Sequence, residues 1–159
     1  PALGPPQVLR GVVIATSASS YPARAPWQAR FETVQAQGIA AIATGAVARW
    51  LTPEFAATAD GAALARKLHD TLVATDAQGY IAACQGVAAI DFRESNKKIG
   101  LPTLVIAGAP DEATPPAMSQ EMVAAIPGAK LASVEAAHLS AVERPAEFVQ
   151  VLKDFFATL

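Results

Sequence analysis

Apolar positions recur along this chain with two different periods. At residues 8–16 (VLRGVVIAT), 102–108 (PTLVIAG) and 129–136 (AKLASVEA) they form short runs rich in β-branched residues, the mark of strands buried in a sheet. Between the first two runs the period lengthens to that of a helix. Trp27, Phe31 and Val34 fall at i, i+4, i+7 and stop at Gly38, while Ile39, Ile42, Ala43, Val47 and Trp50 form a second stripe that ends before Pro53. Leu64, Leu68 and Leu72 make a third, with Asp60 placed to cap it, and Tyr80, Ile81, Cys84, Val87 and Ala88 a fourth. Four helices therefore form one insertion.

The sheet then resumes. Thr114 is placed to cap, and Pro115 to open, a helix between the second and third runs. Residues 145–159 carry Phe148, Val149, Leu152, Phe155, Phe156 and Leu159 as an apolar face opposite Gln150, Lys153 and Asp154, so this last helix should pack on the sheet. The class predicted is α/β, with three parallel strands and an inserted helical block. Its expected divisions are residues 1–20 (first core strand and lead-in), 21–90 (helical insertion) and 91–159 (C-terminal core).

Composition narrows the possibilities. At 159 residues, 52% hydrophobic and 16% charged, the chain can bury a sizeable core. Its net charge of −2 is scattered, which gives no footprint for nucleic acid or an anionic membrane surface. The single cysteine, Cys84, builds neither an internal disulfide nor a Cys-rich metal site, so a reducing cytoplasm is expected. No run approaches the roughly 18 apolar residues of a spanning helix, and the opening PALGPPQVLRG lacks the apolar core of an export signal. The expectation is a chain neither anchored nor exported.

Two residues stand out against this frame. Asp111, in AGAPDEATPP, follows the second strand run; His138, in VEAAHLSAVERP, follows the third. A right-handed crossover puts the C-terminal ends of parallel strands on one sheet edge, where open α/β sheets form their ligand crevice. There an acid can fix the tautomer of a histidine and stabilise the imidazolium formed when it takes a proton from a nucleophile. The same two residues also suit plain structural roles, a turn or cap for Asp111 and a hydrogen-bonded loop for His138.

LPTLVIAGAPDEATPP followed by IPGAKLASVEAAHLSAVERPAEFVQVLKDFF resembles the C-terminal half of α/β-hydrolases, most specifically the 3-oxoadipate enol-lactonases, and ARWLTPEF and GYIAACQGVAAIDFRE resemble that family's cap domain and its return to the sheet. The resemblance implies the C-terminal part of an α/β-hydrolase sheet with a helical cap, Asp111 as triad acid and His138 as general base. Arg49 and Trp50 match the cap motif, where a cation suits a substrate bearing a carboxylate. It implies hydrolysis of 3-oxoadipate enol-lactone to 3-oxoadipate, a step in aromatic-compound breakdown, with no metal or cofactor. Other readings are a different capped hydrolase, acting on esters or carbon–carbon bonds, and a non-catalytic module that dimerises through an open strand edge.

The nucleophile of this fold sits on a Gly-x-Ser-x-Gly elbow ahead of the acid. Ser17, Ser19, Ser20 and Ser95 precede Asp111, and none has glycines at both −2 and +2. Residues 1–7 resemble the end of the helix after the elbow. The expectation is therefore a C-terminal part whose serine lies on a complementary N-terminal segment, and whose first strand needs a covering neighbour. Glu112 is the fallback acid. Trp27, Tyr80 and Cys84 suit packing, and His69 has no metal-ligand spacing around it.

Overall fold

The computed structural model describes residues 9–21 and 23–159, with Arg24 described by its backbone. They divide into two compact units: one joins the residues up to Ser19 to Phe92–Leu159, the other is Ser20–Asp91. Among the described residues, no helix is long and apolar enough to cross a membrane.

The first unit holds the sheet. Strands β1 (Val12–Ala15), β2 (Thr103–Gly108) and β3 (Lys130–Val134) fall on the three apolar runs and are parallel, as expected; they lie in the order β1-β2-β3. All six residues of β2 are buried, because a central parallel strand has both faces covered and no polar alternation to show. Its alternate side chains divide between two layers. Leu104 and Ile106 join Val134, Ala136 and Phe155 under α9 (Pro145–Phe156), and Val105 joins Met122 and Ile126 of the α7 side (Pro116–Ala125). Full burial of a side chain such as Ile106 is worth about 1.5–3 kcal/mol. In β1, which pairs with β2 alone among the described residues, every residue is only half-buried.

Several boundaries differ from expectation. The first strand is shorter than its run: Val8 lies outside the described residues, and Thr16 leaves the sheet with φ 43°. That backbone is unusual for a β-branched residue and costs on the order of 1–3 kcal/mol, although the Thr16 amide still donates to the Ile106 carbonyl at 2.8 Å. On α9, Phe148, Val151, Leu152 and Phe155 face the sheet, joined by Leu159 just beyond the helix, while Val149 and Phe156 are exposed. The apolar arc of this helix is wider than the surface available to cover it. Two short helices complete the unit, α6 (Arg93–Asn96) and α8 (Ser140–Glu143).

The second unit is helical: α1 (Arg24–Gln37), α2 (Ala40–Ala48), α3 (Pro53–Ala56), α4 (Ala59–Val73) and α5 (Ala77–Ala89). Among the described residues, five helices stand where four were expected, since Thr52 accepts the Phe55 amide and caps a single turn opened by Pro53. The cap of α4 is Thr58, which accepts the Gly61 amide at 3.0 Å, and Asp60 sits instead in the first turn. Asp60 is two residues past the cap position, but its charge still suits the positive end of the helix. Val34, Ile39, Ala43, Ala46 and Leu72 form the core, with Trp50, Tyr80 and Ile81 packed against it. Val87 departs from its predicted stripe and is exposed. The ends of the unit meet in an antiparallel bridge between Ser20 and Asp91.

Candidate functional site

In the ladder between β2 and β3, Gly108 is opposite Val134, so the loops after the two strands leave from the same edge. The first loop folds at once. The Asp111 amide donates to the Gly108 carbonyl, and Asp111 Oδ1 accepts the amides of Ala113 (2.8 Å) and Thr114 (3.0 Å). The Thr114 hydroxyl donates to Asp111 Oδ2 at 2.7 Å. This is a correction to the expected role of Thr114: α7 starts at Pro116 with Pro115 in the capping position, and the hydroxyl that would cap it is spent on the aspartate.

The second loop brings His138 to the same carboxylate. Its Nδ1 lies 3.0 Å from Asp111 Oδ2, and 3.4 Å from the Thr114 hydroxyl. Asp111 is buried, whereas the His138 side chain keeps 27% of its surface exposed. Burial is the largest influence on the Asp111 carboxyl and opposes its ionisation. The hydrogen bond from His138, followed by those from the Thr114 amide and hydroxyl, outweighs it, and the group is held below its ordinary value of 3.8. An ionised carboxylate only accepts. The histidine proton therefore belongs on Nδ1, and Nε2 is left as the basic nitrogen.

Three further residues shape this pair, and the strand-and-loop pattern did not single them out. Gly108 is needed for space: a Cβ there would stand 2.4 Å from the Ala136 carbonyl oxygen and 2.7 Å from that of Ala137. Glu143, at the end of α8 and buried, accepts the Ala137 amide at 3.2 Å. Arg144 donates from Nε to the Glu135 carbonyl at 3.0 Å. The only signal for them in the sequence was their nearness to Asp111 and His138.

The other candidates are placed as follows. Glu112 is exposed, so Asp111 and not its neighbour meets the histidine. Arg49 is exposed at the C-terminal end of α2, and Trp50 is half-buried against the core of the helical unit. Tyr80 accepts a hydrogen bond from Arg30 at 3.0 Å, and the Arg30 guanidinium stacks over Trp27 at 5.7 Å. Burial raises the Tyr80 phenol above its ordinary value. Cys84 is a free, partly buried thiol. His69 meets Asp70, and among the described residues no cluster of His, Cys, Asp and Glu is placed to hold a metal ion.

Comparison with known proteins agrees with this architecture. No family model matches the chain. It is 36% identical over 143 residues to 3-oxoadipate enol-lactonase 2 of Acinetobacter baylyi, covering 90% of this chain and 53% of that protein. With 3-oxoadipate enol-lactonase 1 of the same organism it shares 34% identity over 148 residues, 93% of this chain and 55% of that protein. The chain thus spans about half the length of these curated relatives, matching their C-terminal portion. Among solved structures, the enol-lactonase from Burkholderia xenovorans LB400 superposes with a TM-score of 0.86 at 29% identity, over 94% of this chain and 56% of that one.

Proposed function

The chain has the fold of the C-terminal part of an α/β-hydrolase and resembles 3-oxoadipate enol-lactonases over most of its length, and from that premise we propose that it supplies the acid and general base of a serine hydrolase. The substrate is a small anionic enol-lactone, 3-oxoadipate enol-lactone, and the product 3-oxoadipate. One observation carries the reading: the hydrogen bond from His138 Nδ1 to a buried, ionised Asp111, which leaves Nε2 as the basic nitrogen.

The nucleophile is a serine on a Gly-x-Ser-x-Gly elbow outside this chain, carried by a complementary N-terminal segment. The outer edge of β1, unpaired among the described residues, is suited to receive it, since an open edge of half-buried apolar residues is otherwise a site of association. In the assembled site, His138 Nε2 takes the serine proton as Oγ attacks the lactone carbonyl. The ring carbon–oxygen bond breaks, and the proton passes to the departing enolate oxygen; the enol becomes the ketone. His138 then takes a proton from water, which attacks the acyl-serine and releases the second carboxylate. The serine recovers its proton from His138. The steps use neither metal nor cofactor.

Arg49 is the proposed counter-ion for the substrate carboxylate in the complete protein, and Trp50, packed against the helical core, fixes the chain beside it. The activity is tested with the complete protein, or with this chain joined to its complementary segment, by following lactone hydrolysis against simple esters. Asp111→Asn keeps the shape and loses the tautomer control, so kcat should fall about 10⁴-fold. An unchanged rate in a folded Asp111→Asn protein removes Asp111 from the mechanism.

A further inference from the structure

Glu143 is a buried carboxyl group that the proposed chemistry does not use. It stands at the end of α8, five residues after His138 in the chain, and is 4% exposed. A buried carboxyl is costly unless its oxygens are engaged, and Oε2 accepts the amide of Ala137, the residue immediately before His138. The peptide on the other side of the loop is equally confined, because the carbonyls of Ala136 and Ala137 lie against Gly108, close enough that no Cβ fits there.

We infer that Glu143 is a positioning residue for His138: by holding the Ala137 amide it sets the height and turn of the histidine loop, so that Nδ1 faces Asp111 and Nε2 is presented for proton transfer. The inference rests on the acid–histidine reading above. Residues 135–137 lie beyond the last residue of β3 and before α8, so the sheet ladder does not fix this stretch. Besides the Ala136 amide, which donates to the Val134 carbonyl at 2.8 Å, its restraints come from side chains, with Arg144 on the Glu135 carbonyl and Glu143 on the Ala137 amide. Of the two, Glu143 is buried and holds the residue next to the histidine; Arg144 is exposed and holds one three residues before it.

The decisive readout is the tautomer of His138, which a loss of packing alone does not reverse. The chain has two histidines, so His69→Gln assigns the imidazole ¹⁵N signals of ¹⁵N-histidine-labelled protein. A histidine released into water prefers the proton on Nε2, whereas His138 bound to Asp111 carries it on Nδ1. The wild type should show the Nδ1–H form as the main species. Glu143→Leu, which has no acceptor, should reduce it to a minor one. Glu143→Gln retains an oxygen acceptor of the same length and should restore the wild-type pattern, even where it lowers thermal stability.

A folded Glu143→Leu protein that keeps the Nδ1–H form overturns the inference. If that variant does not fold, Glu143→Asp decides: it is one methylene shorter and should lose the Nδ1–H form, and its retention overturns the inference equally. In the wild type, the Ala137 amide should exchange with solvent more slowly than the exposed amides of the same loop, and fast exchange there overturns the inference with no variant at all. These readouts need no substrate. A complete protein that fails to open the lactone removes the proposed function and leaves the outcome for Glu143 standing by itself.

Discussion

In the Asp111 loop the fastening is local: Oδ1 accepts the amides of residues two and three ahead, and the Thr114 hydroxyl closes on Oδ2. In the His138 loop one local bond, the Ala136 amide on the Val134 carbonyl, is joined by fastenings from farther off: the loop lies against Gly108 at the end of another strand and hangs by its backbone from Glu143 and Arg144. A turn that satisfies its own carboxylate carries its geometry with it. A loop held from outside has a geometry only while β2, β3 and α8 are packed together. The two members of the pair therefore have different weaknesses. Asp111 is vulnerable in its charge, and His138 in its position.

The largest effect should come from closing the space between the loops. Gly108→Ala puts a Cβ 2.4 Å from a backbone carbonyl that cannot step aside as a side chain would. It should cost about 3 kcal/mol, the upper end of ordinary overpacking, in the urea midpoint. It should also move His138, seen as a loss of the Nδ1–H form. A chain that accepts this methyl with its histidine unmoved would mean that the second loop has more slack than its contacts indicate.

A smaller loss is expected on the aspartate side. Thr114→Val removes one donor to a buried carboxylate and keeps the backbone amide, so stability should fall by about 2 kcal/mol, a hydrogen bond to a charged group. Thr114→Ser should recover most of it. Because Oδ1 is still held by two amides, the His138 tautomer should stay as in the wild type. Movement of the histidine in Thr114→Val would erase the contrast between the loops.

The mildest test is by pH. Asp111 is held below its ordinary value of 3.8 in the folded chain, so between that value and the lower folded one the unfolded state binds more protons than the native state. Its contribution is therefore complete above 3.8 and is lost as pH falls through the folded value. Urea midpoints of wild type and Asp111→Asn should differ by a constant amount at neutral and mildly acidic pH and converge in stronger acid. A difference that is independent of pH would show that the aspartate acts through shape alone.

Much of the sheet was legible because a strand buried on both faces needs an unbroken apolar run, as in TLVIAG of β2. Helix ends were less so. Thr58 and Asp60 both suit the start of α4, and the choice between them depended on which side chain reached an amide. The apolar arc of α9 is wider than its covered face, since Val149 and Phe156 are as apolar as the buried Phe155 and only the width of the sheet beneath decides which are covered.

Periodicity and chain order suffice for the parallel α/β class, the helical insertion, and the placement of an acid and a histidine after successive strands. Tertiary structure alone decided that Asp111 and not Glu112 meets His138, that Thr114 turns inward to the carboxylate, and that Gly108 and Glu143 confine the histidine loop. These depend on distances of a few ångströms between segments far apart in the chain. No local pattern of residues carries that information, since it arises only when the strands lie side by side.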